Sequence, residues 1–294
     1  MYLYQAKVGH HRIRFEVQTE HLKEWIAARF PEDRDELAAL PVGSGEAAVE
    51  AAAGEASESE VVAALASTEA AGAKAVLYIT DFYGSMYDEG PVEIEADGDT
   101  VVYSRKDYRM ETSADYSSVK LQVFDDLALK HALINWYSAW LIHRREGLLV
   151  HSSCVVDGGK AWMFVGHSGA GKSTAAELSA PRPILSDEAT LLLLDADGGV
   201  TIHDSPLRSE NEERGEADAS PLGGVHFLVQ AEEVRREPVG KVEALIGLMD
   251  KVFYWKHSKP ETAKMIAVCR EVVQRVPAYE LHFQKNDSFW EVIS

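Results

Sequence analysis

Apolar and polar residues alternate at the start of the chain, in Tyr2-Leu3-Tyr4 and again in His11-Arg12-Ile13-Arg14-Phe15-Glu16-Val17, which is the period of a half-buried strand. Gly9 lies between the two runs, so a hairpin is expected there. Strand-like runs resume at Ala75-Val76-Leu77-Tyr78-Ile79, Val92-Glu93-Ile94-Glu95 and Thr100-Val101-Val102-Tyr103-Ser104, with Asp97-Gly98-Asp99 as a turn between the last two. Residues 42–73 interrupt the pattern with Ala, Glu, Gly and Ser, a composition that fits either a linker or an Ala-rich helix. Over residues 125–146 the period lengthens: Leu127, Leu129, Ala132, Leu133, Trp136, Trp140 and Leu141 recur at near-helical spacing, and Gly147 offers a stop. After it, Leu148-Leu149-Val150-His151, Cys154-Val155-Val156 and Ala161-Trp162-Met163-Phe164-Val165 read as two strands around Asp157-Gly158-Gly159. The pattern divides the chain into a smaller β-rich α+β domain, residues 1–124, and an α/β domain, residues 125–294, that begins with the joining helix at 125–146.

Composition narrows the class. An apolar fraction of 46% over 294 residues supports a packed core. A formal charge of −19, with Arg144-Arg145 and Arg235-Arg236 as isolated basic pairs, argues against a nucleic-acid partner. Cys154 and Cys269 have no zinc or disulfide spacing, and a reducing compartment is expected. The N-terminal residues lack the order of a signal peptide, and Lys130 and His131 interrupt the longest apolar run; a cytoplasmic protein with no membrane partner follows as the expectation.

The chemistry enters at Gly166-His167-Ser168-Gly169-Ala170-Gly171-Lys172-Ser173, which satisfies G-x-x-x-x-G-K-[ST] between a strand and the helix-capable Thr174-Ala175-Ala176-Glu177-Leu178. Glycines let the loop turn its N–H groups inward around phosphates, and the following helix adds partial positive charge. ATP and Mg²⁺ are therefore the expected cofactors: Lys172 bridges the β- and γ-phosphates, the Ser173 hydroxyl ligands the metal, and residues 166–174 form the cradle. Pro181-Arg182-Pro183 ends the helix, and Ile184-Leu185 starts a strand that delivers Ser186-Asp187-Glu188. If that strand runs parallel to the first, Asp187 returns beside the phosphate loop, to accept a proton from an attacking hydroxyl or to hold Mg²⁺. Glu188 points the other way by alternation.

Over residues 148–294 the chain resembles the HPr kinase/phosphorylase catalytic domain and its relatives, whose nucleotide site is akin to that of ATP-dependent phosphoenolpyruvate carboxykinase. The features carrying the likeness are His151-Ser152-Ser153, the hairpin before Gly166, the phosphate loop, the acidic pair, Asp204-Ser205-Pro206-Leu207-Arg208-Ser209-Glu210, Pro221-Leu222-Gly223-Gly224-Val225-His226-Phe227-Leu228 and Tyr279-Glu280-Leu281-His282-Phe283. The resemblance implies a P-loop kinase fold of that type, active-site roles for His151, Lys172 and Asp187, metal binding by Ser173, a further acidic metal contact at Glu210, and a homo-oligomer. The Glu-Ile-Arg-Gly segment and the Pro- and Arg-rich C-terminal loop of true HPr kinases are missing. The implied acceptor is accordingly a serine hydroxyl of another protein or peptide, or a small molecule.

Each weaker candidate has a plain alternative. His151 is a phosphate or acceptor contact, or a structural strand residue; Glu210 is a ligand, or one solvated carboxylate in an acidic run. Arg208 neutralises phosphate charge or sits on the surface, and Phe253, Tyr254 and Trp255 line a pocket or pack a core. The expected activity is transfer of the γ-phosphoryl group of ATP to a hydroxyl, against two rivals: an ATP-binding sensor or scaffold without turnover, and a P-loop ATPase.

Overall fold

The alternation at the start of the chain produces a hairpin. Strands β1 (Tyr2–Val8) and β2 (His11–Val17) pair antiparallel from Tyr2↔Val17 to Val8↔His11, and Gly9 turns between them with a φ of 60°. The structure is a computed structural model that describes residues 1–33, 73–87, 90–209 and 218–293. Of the Ala/Glu/Gly-rich stretch at 42–73, residues 42–72 lie outside the described residues. The chain divides into two units, Met1–Ala132 and Leu133–Ser294.

In the first unit, helix α1 (Glu20–Arg29) buries Leu22, Trp25 and Ile26, which recur at helical spacing. Its N-cap Thr19 accepts from the Leu22 N–H and donates to Asp81 Oδ2 at 2.8 Å. Strands β3 (Ala75–Thr80), β4 (Glu93–Asp97) and β5 (Thr100–Arg105) cover the three runs that the sequence predicts. Strands β6 (Tyr108–Ser113) and β7 (Ser118–Val123) complete a seven-stranded sheet in the order β1-β2-β3-β7-β6-β5-β4. Phe15, Val17, Leu77, Ile79, Met110 and Leu121 are fully buried on it, each contributing about 1.5–3 kcal/mol.

Helix α2 (Asp126–Arg144) starts in the first unit and continues into the second. Within the second unit it stacks Trp136, Tyr137 and Trp140, all fully buried, with ring centroids 5.6–5.8 Å apart. The residue that turns the chain out of the helix is Arg145, at φ 57°, and Gly147 instead opens the next strand. A Cβ on Gly147 would lie 2.1 Å from the Leu192 carbonyl oxygen, so glycine is required there by close strand contact.

The second unit follows with β8 (Gly147–Asp157), β9 (Lys160–Val165), α3 (Lys172–Glu177), β10 (Ile184–Ser186), β11 (Ala189–Leu194), β12 (Val200–His203), β13 (Ala219–Gln230), β14 (Arg235–Pro238), α4 (Lys241–Met249), α5 (Lys259–Arg275), β15 (Ala278–Phe283) and α6 (Trp290–Ile293). Pairings run β8-β11-β12-β13-β9 and return to β8, so these strands close on themselves. The architecture is mixed α/β. Phe164 and Val155 share one apolar cluster with Ala175 and Ala176 of α3, while Met163 and Val165 share the other with Ala244 of α4 and Val268 of α5. The alternation of β9 therefore sends successive side chains to two different helical layers. No helix among the described residues is long and apolar enough to cross a membrane.

Candidate functional site

Strand β9 hands the chain directly to the glycine-rich loop. Gly166 and Ala170 are buried, whereas His167, Ser168 and Gly169 form an exposed tip. Gly171 ends the loop at φ 105° as the N-cap of α3, and a Cβ there would lie 2.6 Å from the Phe283 ring, so conformation and space both demand glycine. Lys172 folds back under the loop: its Nζ donates to the carbonyls of Gly166 and His167, each at 3.2 Å, and its side chain is buried. Ser173 is exposed and Thr174 half-buried at the start of α3.

Strand β8 is the spine of the site. On one side it pairs with β9 up to Ser152↔Val165; the loop leaves there, and the vacated edge is taken by Lys251, whose carbonyl accepts from His151 N–H at 2.7 Å. On the other side Ser186 faces Cys154 and Ala189 faces His151, which sets Asp187 opposite Ser153. Strand β10 thus runs in the same direction as β9, with β8 between the two. Side chains in register share a face, so Asp187, Ser153, His151 and Lys251 lie on the face that carries α3. Ser153 Oγ makes the connection, donating to the Lys172 carbonyl at 2.8 Å.

Both oxygens of the buried Asp187 carboxylate are engaged: Oδ1 accepts from the Ser209 N–H at 2.9 Å and Oδ2 from the Ser209 hydroxyl. Arg208 is buried instead of lying on the surface, because its guanidinium is committed to the Asp204 carboxylate, the Ser205 carbonyl at 3.3 Å and the Ile184 carbonyl at 2.8 Å. It ties the loop to β10.

The electrostatics are cationic around Lys172. Burial pushes the Lys172 ammonium below its ordinary pKa, and the neighbouring Lys251 charge pushes the same way. The His151 imidazole is also held below its ordinary value, first by burial, then by Lys172 and Lys251, with Glu188 opposing. Lys251 Nζ rests on Asp250 at 2.6 Å, a pair whose carboxylate is exposed. The His151 ring lies 5.5 Å from Phe253, which in turn stacks on Trp255 at 6.4 Å. Tyr254 turns away and shares a hydrogen bond with Thr262 at 2.7 Å.

The structure therefore brings together Lys172, His151 and Asp187 with the loop 166–174, and adds Ser153, Lys251 and Ser209. The Glu188 carbonyl accepts from the Ser152 N–H at 3.1 Å, while the alternation of the strand turns its side chain to the opposite face from Asp187. Glu210 lies outside the described residues. Ser173 offers a hydroxyl and Asp187 a carboxylate, oxygen donors of the type that Mg²⁺ takes, and both Asp187 oxygens are held here by Ser209. A cavity of about 700 Å³ bordered by Phe227, Val239, Ile246 and Glu280 lies against α4, and none of the residues of this site lines it.

Sequence comparison adds one assignment. The family model described as SynChlorMet cassette protein ScmC matches residues 120–294. This corrects the resemblance to HPr kinase/phosphorylases: the stretch carrying His151, Lys172 and Asp187 matches a different family, and no family of P-loop kinases matches. The physical reason is that a phosphate-cradling loop dictates its own short pattern, so the motif recurs in unrelated proteins. The homo-oligomer and the Glu210 ligand rested on that resemblance and lose it as support. No curated protein matches the chain.

Proposed function

The chain belongs to the SynChlorMet cassette protein ScmC family, and for it we propose a Mg²⁺-dependent transfer of the γ-phosphoryl group of ATP to a hydroxyl group. The observation that carries this reading is the convergence of Lys172 and Asp187 on one face of the sheet, at the ends of two strands that run the same way, joined through Ser153. In the reaction, the loop N–H groups and Lys172 hold the β- and γ-phosphates, with phosphate oxygens replacing the Gly166 and His167 carbonyls as partners of the ammonium. Lys251 adds a second positive charge beside His151. Bound Mg²⁺ would supply charge neutralisation on the phosphate oxygens, with Ser173 and Asp187 available to hold it. Asp187 is the group that accepts the proton of the incoming hydroxyl. An ATP-supplied compartment, as the cytoplasm is, would suit this chemistry.

The acceptor is a protein, peptide or small molecule bearing a hydroxyl. Incubation with γ-labelled ATP, Mg²⁺ and a desalted extract of the source cells tests the proposal. Label in a discrete acceptor, lost with Lys172→Ala and with Asp187→Asn, is the expected result. Release of free phosphate with no labelled acceptor would identify an ATPase, and binding without turnover a sensor.

A further inference from the structure

Residues 204–209 are fixed to the end of β10 more firmly than an ordinary surface loop. The Ser205 N–H donates to the Leu185 carbonyl at 3.0 Å, Leu207 is fully buried with its N–H on Ser205 Oγ at 3.2 Å, and the buried Arg208 guanidinium joins Asp204, Ser205 and Ile184. All of this holds in place one exposed side chain, Ser209, whose hydroxyl donates to Asp187 Oδ2 while its N–H holds Oδ1 at 2.9 Å. An acceptor hydroxyl bound for phosphoryl transfer needs this relation to its base: oxygen on the carboxylate, proton directed at it.

We propose that Ser209 is a self-modification site, phosphorylated within the same molecule by the nucleotide bound over Lys172. The inference rests on the nucleotide reading given above. Ser209 Oγ forms its bond to the γ-phosphorus as the bond from that phosphorus to the β,γ-bridging oxygen breaks. That electron pair leaves with ADP, and the hydroxyl proton passes to Asp187 Oδ2 and then to water. The product places a phosphate bearing nearly two negative charges against the Asp187 carboxylate, and like-charge repulsion then drives the residue off it. Self-modification therefore uncovers the base for an external hydroxyl.

The test uses the full chain, Mg·ATP and phosphopeptide mass spectrometry, with Mg·ADP titration as the measure of an intact site. The expected result is phosphate on Ser209 at a rate per molecule independent of protein concentration. Ser209→Ala should abolish it and Ser209→Thr should yield phosphothreonine, both with Mg·ADP binding retained, and Asp187→Asn should slow it about 100-fold or more. A wild-type chain that binds Mg·ATP but carries no phosphate on Ser209, or acquires it at a rate proportional to protein concentration, overturns the proposal and leaves the nucleotide site standing. A wild-type chain that binds no Mg·ATP overturns both.

Discussion

The Lys251 side chain is the residue whose role departs furthest from what its sequence neighbourhood suggests. Asp250-Lys251 reads as a surface ion pair after a helix, yet the backbone of Lys251 continues the sheet edge that β9 abandons, which sets its charge beside His151 and Lys172. Lys251→Met should therefore raise the pKa of His151, a shift that NMR titration of the imidazole would detect, and should weaken Mg·ATP roughly 10- to 100-fold, the value of a charged hydrogen bond. An unchanged His151 titration would remove Lys251 from the site. Of the candidate site, the closeness of the loop 166–173 to the strand bearing Asp187 was legible because both belong to one short strand–loop–helix–strand stretch. Lys251 and Ser153 were not, because each reaches the site through strand register, a relation between distant segments, and Ser209 was not, because it reaches Asp187 from a loop. Arg208 carried no signal of burial, since the carbonyls that hold it belong to the backbone.

At the scale of elements, the loop and the two strands behind it act as a unit. Gly171→Ala forces a side chain into a left-handed conformation and against the Phe283 ring. Thermal unfolding should show a loss of about 1–3 kcal/mol, and nucleotide binding should fall with it. Arg208→Met leaves the Asp204 carboxylate without its charged partner in a mostly buried setting; the expected cost is about 3–5 kcal/mol, read as a lowered Tm, together with release of Ser209 from Asp187. The strands β1 to β5 were readable from the sequence, as alternating segments or, for β3, as a continuous apolar run. Helix α1 leaves little trace in the sequence because its buried residues Leu22, Trp25 and Ile26 are few among charged neighbours. Helix α2 ends at Arg144, ahead of Gly147: glycine serves both helix ends and close strand contacts, and here it serves the second.

For the whole molecule, a buried histidine contributes to the loss of stability in acid. His226 is fully buried among Trp162, Phe164 and Tyr279, and burial, aided by Arg236 and opposed by a backbone interaction with Met163, depresses its pKa to about 3. The folded state thus keeps His226 neutral while the unfolded chain protonates it near the ordinary value of 6.5. Its contribution is unaffected above that pH and is lost progressively as pH falls from about 6.5 toward 3. His226→Leu should flatten this part of a stability–pH curve from chemical denaturation; an acid limb of unchanged slope would assign the loss to other groups. The sequence offered His226 only as part of a likeness to another family, and its place in the aromatic layer depends on the pairing of β9, β13 and β15.

The most direct measurement is calorimetric titration of Mg·ATP into the wild-type chain and into Lys172→Ala, since everything proposed for Asp187, Lys251 and Ser209 assumes a nucleotide over Lys172. Saturable binding by the wild type, weakened at least about tenfold in the variant, is the predicted result. A wild-type chain that takes up no Mg·ATP, or a variant that binds it equally well, would contradict the account.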